Sequence, residues 1–348
     1  MSVSPARMPT STHSVAVVGA TGHTGRFVVR DLVRRGIAPI AVGRDAARLA
    51  EAGFADDGIA VREARLEDAG SLAAAFAGAH AVINCAGPFL DTAEPVAAAA
   101  IASRLHYLDV TAEQASAQAT IETFGDAARD AGVIVMPAMG FFGGFLDLLV
   151  TAASDGWAEA DRVAIGIALD RWHPTEGTRR TGARNTAPRM VVSGGRLATL
   201  PQPPPEIDWS FPAPFGPQRV VEIPFSEVPL ILLHLRPPEL HTHLSLSAIR
   251  DIRDPTTPSP TPADDTGRSA QLFLVEARVT KGARSRRAVA RGRDIYGFSA
   301  PLLGEAVQRI LDGRVEGAGA MAPGAAFDAR DVLATLATQE LTVEMVEG

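Results

Sequence analysis

A chain of 348 residues exceeds what one hydrophobic core usually organises, so two domains are expected. Its formal net charge of -7, from 33 Lys and Arg against 40 Asp and Glu, gives no electrostatic basis for general nucleic-acid binding. The single cysteine, Cys85, excludes an intramolecular disulfide and a cysteine cage for metal, which fits a reducing cytoplasm, and no apolar run reaches the roughly 20 residues of a membrane span.

Residues 1–13 carry Pro5, Pro9 and several hydroxyl side chains without an apolar stretch, and read as a disordered tail rather than a signal peptide. Residues 14–19 (SVAVVG) form a β-branched apolar run ending in glycine, and helical spacing of apolar residues follows from Thr24 to Gly36. The unit then repeats. Strands are expected at 37–42, 59–62, 79–85, 107–110 and 132–136, and helices at 45–53, 68–76, 93–103 and 112–131. Strands alternating with helices predict a doubly wound parallel sheet covered on both faces.

After residue 140 the rhythm changes. Strand-like runs at 163–169, 220–223, 240–247, 272–279 and 286–293 with few helices between them predict a second, mixed and largely antiparallel sheet. Proline-rich stretches at 201–217 and 254–262 read as surface loops or a substrate lid. Helices are expected at 299–311 and 328–336, joined by the glycine-rich stretch 313–324. The resulting fold class is α/β, with a tail over 1–13, a nucleotide-binding domain over 14–140, a second α/β domain over 141–297 and a C-terminal helical segment over 298–348.

The turn after the first strand reads Gly19, Ala20, Thr21, Gly22, His23, Thr24 and Gly25. Glycines serve where backbone turns sharply and approaches a pyrophosphate, and the helix that follows offers unpaired amides and a positive dipole end to that charge. Cofactor choice is expected at the end of the second strand, where an acidic side chain would accept the ribose hydroxyls of NAD. Here the strand ends in Arg44, with Arg48 one helical turn on, so guanidinium groups are available for a 2′-phosphate and NADP is the expected cofactor. The loop after the fourth strand, Asn84, Cys85, Ala86, Gly87, Pro88 and Phe89, lies at the carboxyl edge where open α/β sheets bind ligands. Ala86 and Gly87 leave room for the cofactor, Phe89 is a candidate wall for the nicotinamide, and Cys85 reads as a small core residue.

With these residues assembled, the chain resembles the saccharopine dehydrogenase-like oxidoreductases, a group that includes saccharopine reductases and trans-acting enoyl reductases. The matching pieces are GATGHTG at 19–25, VGR at 42–44, VINCAGPF at 82–89, HYLDVTAE at 106–113 and RGRDIYGFSAPLLGEAVQRILDG at 291–313. The resemblance implies an NADP-binding domain, an inserted α/β domain that shapes the substrate pocket and often a dimer contact, a C-terminal helical segment returning to the first domain, and hydride transfer. One departure stands out. Where the family commonly has Gly-Phe-Asp, a proline and a further Asp, residues 139–147 read MGFFGGFLD, which predicts a more apolar pocket and argues against an amino-acid substrate.

Reduction of C=N or C=C needs a proton as well as a hydride. Tyr107, Asp109 and Glu113, at or just beyond the end of the fifth strand, are the donors favoured by position, with Tyr107 and Asp109 foremost; the alternative is that they fix neighbouring loops. His234, His241 and His243 invite a metal, and His241 and His243 share one face of a strand, but no carboxylate or third ligand has a defined spacing to them, so no metal is expected. Residues 281–293 read as a basic edge strand. The segment TRRTGARN at 178–185 resembles the family's polar segment near the substrate pocket, which implies Arg184 or Asn185 as a substrate-site residue. The function expected is an NADPH-dependent oxidoreductase acting on an apolar imine or enoyl small molecule, as a homodimer. An amino-acid dehydrogenase of the saccharopine type and a non-catalytic NADP-binding sensor are the alternatives.

Overall fold

The computed structural model describes residues 13–157, 159–338 and 341–347; apart from His13, the tail expected over 1–13 lies outside the described residues. The first sheet is built from β1 (Ser14–Val18), β2 (Ala38–Gly43), β3 (Ala60–Glu63), β4 (Ala81–Asn84), β5 (His106–Asp109), β6 (Ile134–Met136) and a late addition, β15 (Gly319–Ala320). Its order is β15, β6, β5, β4, β1, β2, β3, and every pair is parallel. Strands buried on both faces carry unbroken apolar runs. Val15, Ala16 and Val17 of β1 have no accessible surface, which explains why this strand is legible as a solid run.

The crossovers are α1 (His23–Arg34), α2 (Ala46–Glu51), α3 (Ala69–Phe76), α4 (Phe89–Ala102) and α5 (Gln114–Ala131). Asp45 and Asp68 cap the second and third by accepting from the backbone N–H groups of Arg48 and Ser71. Strand order reverses between β1 and β4, which sets the ligand crevice of such a sheet at the carboxyl ends of these two strands.

The second sheet contains β7 (Arg162–Leu169), β8 (Met190–Ser193), β9 (Arg196–Thr199), β10 (Glu206–Ser210), β11 (Pro217–Glu222), β12 (Glu239–Ser245), β13 (Leu272–Lys281), β14 (Arg284–Arg293) and β16 (Leu341–Glu347). Its main path runs β10, β11, β12, β7, β13, β14, β16; β12 and β7 are parallel and the other ladders antiparallel. Two expectations are corrected here. The proline-rich stretch 201–217 is not all loop, because it holds β10, anchored by the buried Trp209. The basic strand β14 is not an edge, because β16 pairs along it from Gly292 to Arg286.

A wide π-helical turn (Phe141–Phe145) leads into α6 (Leu146–Ser154), which packs under β13 and β14. The remaining helices are α7 (Glu176–Arg184), α8 (Glu227–His234), α9 (Leu246–Arg253), α10 (Ile295–Leu311), α11 (Pro323–Ala326) and α12 (Ala329–Ala337). Helix α10 returns to the first domain and lies along α1, where Arg35 Nη1 donates to Glu305 Oε2 at 2.8 Å and Arg35 Nε to Asp31 Oδ2 at 2.7 Å. Phe141 and Phe145 turn into the core against Phe273 and Phe298 rather than lining a pocket. No helix among the described residues is long and apolar enough to cross a membrane.

Candidate active site

The turn from β1 into α1 is built from glycines with distinct tasks. Gly19 sits at φ +76°, and a Cβ there would lie 2.9 Å from the backbone nitrogen of Ala86, so the β1 turn and the β4 loop touch backbone to backbone. Gly25 packs directly on the turn, where a Cβ would overlap the Gly19 carbonyl oxygen. Gly22 is exposed, precedes the first turn of α1 and provides no side-chain cap, and no acidic residue occupies that turn. Amides, a positive helix end and an uncapped approach are what a diphosphate requires, so the residues fit a dinucleotide.

At the end of β2 both Arg44 and Arg48 are exposed. Asp45, the carboxylate between them, is committed to the α2 amide of Arg48 at 3.1 Å, with its other oxygen 3.7 Å from Arg48 Nε. Arg44 makes no ion pair among the described residues.

The β4 loop is held from below. Asn84, fully buried, accepts from the Ala86 backbone N–H through Oδ1 at 3.0 Å, and its Nδ2 donates to Thr92 Oγ1 at 3.2 Å and Tyr107 Oη at 3.4 Å. Tyr107 Oη donates to Asp109 Oδ2 at 2.8 Å, while Asp109 Oδ1 accepts from the backbone N–H groups of Thr111 at 2.9 Å and Ala138 at 2.7 Å. The structure brings the two foremost donor candidates together, yet neither has accessible surface. Burial, then Asp109, holds the Tyr107 phenol well above its usual range; burial also raises Asp109, against the Ala138 and Thr111 amides and the phenol. Their hydrogen bonds tie three loops of the carboxyl edge to each other.

Glu113 caps the start of α4 from 24 positions away: its Oε1 accepts the Phe89 backbone N–H at 2.7 Å. Burial raises its carboxyl, opposed by the Phe89 and Leu90 amides. Phe89 itself is mostly buried, and Cys85, whose thiol burial pushes up, sits in the strand end as a packing residue.

Elements around the second sheet close over this edge. Helix α7 lays Thr181 against Gly87, and Arg184 Nη2 pairs with Asp91 Oδ1 of α4 at 2.8 Å. Phe142 stacks between Trp172 at 5.3 Å and Phe225 at 4.3 Å, and Arg189 lies over Phe225 at 5.0 Å. At the mouth of α1 the His23 ring meets Tyr296 at 5.6 Å. Burial lowers the His23 imidazole, against a smaller pull from Asp294. Trp172 and Arg189 stand in no motif of the sequence, whereas Thr178 opens the segment TRRTGARN and Tyr296 closes the DIY of residues 294–296.

Away from this edge, His241 is held between carboxylates, Nδ1 with Glu222 Oε1 at 2.6 Å and Nε2 with Glu239 Oε2 at 3.0 Å. Among the described residues no group of His, Cys, Asp and Glu is arranged to hold a metal ion.

Fold and site together define an α/β protein of two sheets, with a crevice at the carboxyl ends of β1 and β4. Residues 19–144 match a family model described as NAD(P)H-binding. A probable mitochondrial saccharopine dehydrogenase-like oxidoreductase of Arabidopsis thaliana is 25% identical over 154 residues, covering 40% of this chain and 34% of that protein. The match thus spans about a third of the length of that curated relative (34%). The apo saccharopine dehydrogenase (L-Glu forming) of Saccharomyces cerevisiae shares the fold with a TM-score of 0.65 at 13% identity, over 96% of this chain and 100% of that one. The resemblance to saccharopine dehydrogenase-like oxidoreductases therefore stands in both sequence and fold.

Proposed function

We propose that this chain is an NADPH-dependent oxidoreductase that delivers a hydride to a C=N or C=C bond of a largely apolar small molecule. The observation that carries the reading is the uncapped, amide-lined mouth of α1 between the Gly19 turn and Ala86. Ala20, Thr21, His23 and Thr24 complete the diphosphate grip, with Asn84, Ala86, Gly87, Pro88 and Phe89 flooring the nicotinamide side. When bound, the dinucleotide supplies the hydride; the protein's own groups bind, orient and exclude water.

Preference for NADP rests on Arg44 and Arg48, exposed where a 2′-phosphate would project, beside an Asp45 already spent on capping α2. An apolar substrate is supported by the composition of residues 139–147, in which Phe142 packs between the buried Trp172 and Phe225 rather than presenting a charged group. Tyr107 and Asp109 act in this reading as positioning residues. A homodimer in a reducing cytoplasm completes it, with the exposed Met345 and Val346 of edge strand β16 available to a second copy.

The test is thermal stability with NADPH, with NADH and without nucleotide, since a ligand that binds only the native state raises stability according to its affinity. A larger shift with NADPH is expected. Equal shifts defeat the arginine argument, and no shift with either defeats the whole reading.

Arg189 favours a second reading, an amino-acid dehydrogenase of the saccharopine type. Its Nη1 donates to the Pro224 carbonyl at 2.6 Å and its charge acts on the nearby Glu227 carboxyl, while the remaining N–H groups of this half-buried guanidinium are the ones a substrate carboxylate would take. Added L-glutamate would then stabilise the NADPH complex further, and Arg189→Gln would abolish that increment.

A further inference from the structure

The chain has two tyrosines, and they differ in exposure. Tyr107 is sealed, whereas Tyr296 keeps part of its surface accessible. The Tyr296 oxygen accepts from Trp172 Nε1 at 2.8 Å, a group that can only donate, and from the Thr178 hydroxyl at 2.9 Å. Thr178 is linked to Thr175, the N-cap of α7, at 2.9 Å between hydroxyl oxygens. The phenol oxygen therefore sits at the positive end of α7, surrounded by donors, and its own O–H is left to point elsewhere.

Its position is fixed from three sides. The ring faces His23 at 5.6 Å, at the start of the dinucleotide helix. Thr178 lies three residues before Thr181, so the oxygen is about one helical turn from the residue that contacts Gly87. Asp294, held at φ 57°, accepts the Tyr296 backbone N–H at 3.1 Å and the Ser269 backbone N–H at 2.7 Å, clamping the residue at the head of α10. The phenol is thus bracketed by the phosphate turn and the β4 loop.

We propose that Tyr296 is the proton donor of the reaction; this rests on the reading given under Proposed function. The substrate's C=N or C=C bond takes a hydride from the reduced dinucleotide at one end. The displaced π pair at the nitrogen or α-carbon forms its new bond to the proton of Tyr296 Oη. The O–H pair stays on oxygen as phenolate, held by Trp172 Nε1–H and the Thr178 hydroxyl at the α7 terminus, in the manner of an oxyanion hole. Solvent then returns the proton. Burial raises the phenol, which keeps it protonated in neutral solution, while the hydrogen bonds from Thr178, Trp172 and the Thr175 backbone pull it down.

The experiment labels the full chain with 3-fluorotyrosine and follows the Tyr296 resonance by 19F NMR against pH, with NADPH or NADP+ bound, assigning it by its loss in Tyr296→Phe. A cationic nicotinamide ring beside the phenol favours phenolate, so the midpoint is expected lower with NADP+ than with NADPH, with Tyr107 unmoved; Trp172→Phe raises it. Identical midpoints for two nucleotides that both bind overturn this proposal alone. If neither nucleotide binds, it falls together with the reading beneath it. With 3,4-dihydroisoquinoline or 2-cyclohexen-1-one as the probe turned over, Tyr296→Phe is expected to lower kcat by about 10²- to 10⁴-fold while NADPH stabilisation persists. An unchanged kcat overturns the assignment. Should Tyr296→Phe fail to fold, the resonance is assigned by difference and the Trp172→Phe titration decides.

Discussion

Gly19 and Ala86 meet backbone to backbone: a Cβ on Gly19 would lie 2.9 Å from the Ala86 nitrogen, at a φ of +76°. A side chain at residue 19 therefore meets two penalties, about 1–2 kcal/mol for the left-handed conformation and a separate overlap with the β4 loop. Gly19→Ala is expected to spread the β1 turn from the β4 loop and remove the NADPH-dependent rise in Tm, while the nucleotide-free protein loses about 1–3 kcal/mol. Differential scanning fluorimetry with and without NADPH reads both effects, and an undiminished NADPH shift would show that the turn tolerates the spread.

Arg44→Ala separates the two nucleotides. A charge-assisted hydrogen bond is worth about 1.5–3 kcal/mol, so NADPH affinity is expected to fall roughly tenfold to a hundredfold. Affinity for NADH should hardly change, because the 2′-phosphate is absent. Titration calorimetry with both nucleotides checks this, and parallel losses would assign Arg44 to the turn rather than to the phosphate.

The first sheet was readable because burial on both faces leaves solid apolar strands, with glycines such as Gly36, Gly78 and Gly132 at positive φ marking the breaks. Elsewhere the pattern thins. β10 turns only Trp209 inward, so a stretch rich in proline with one buried residue carries no strand rhythm. The start of α4 at Phe89 depends on the Glu113 carboxylate 24 positions later, and Tyr296 acquires its hydrogen-bond partner from Trp172 124 positions earlier. Such contacts exist only once the domains are packed. The turn proposed to hold the cofactor lies on a local motif and shows in the sequence; the cradle proposed around Tyr296 is assembled from distant segments and does not.

Gly304→Ala tests the seam between α10 and α1. A Cβ on Gly304 would collide with Asp31 Oδ2 and the Arg35 guanidinium, the pair that links the two helices through Glu305. Both charged side chains are buried, so they have little room to withdraw. Displacing them is expected to cost about 3–5 kcal/mol, as breaking a buried ion pair does. Urea unfolding measures it, and a loss under 1 kcal/mol would mean that the seam flexes.

Two buried groups in the second domain tilt stability with pH in opposite directions. Glu227 has no accessible surface, and burial raises its carboxyl from 4.5 to about 7, opposed by Thr242, the Phe225 amide and Arg189. His243, against Trp209, is lowered from 6.5 to about 4, chiefly by burial. Between about pH 4.5 and 7 the folded state holds the Glu227 proton that the unfolded chain has released, so this group's contribution falls as pH rises. Between about pH 4 and 6.5 the unfolded chain binds a proton that folded His243 refuses, so its contribution rises with pH. The two slopes largely cancel up to about pH 6.5 in the native protein. Glu227→Gln keeps an acceptor for the Phe225 N–H and removes one slope, so its stability relative to the native protein should climb by up to roughly 3 kcal/mol from pH 4.5 to 7. His243→Gln should show the reverse, losing ground relative to the native protein as pH rises from 4 to 6.5. Chemical unfolding at pH 4.5, 5.5, 6.5 and 7.5 measures both differences, and parallel curves for Glu227→Gln and the native chain would mean that Glu227 stays ionised within the fold.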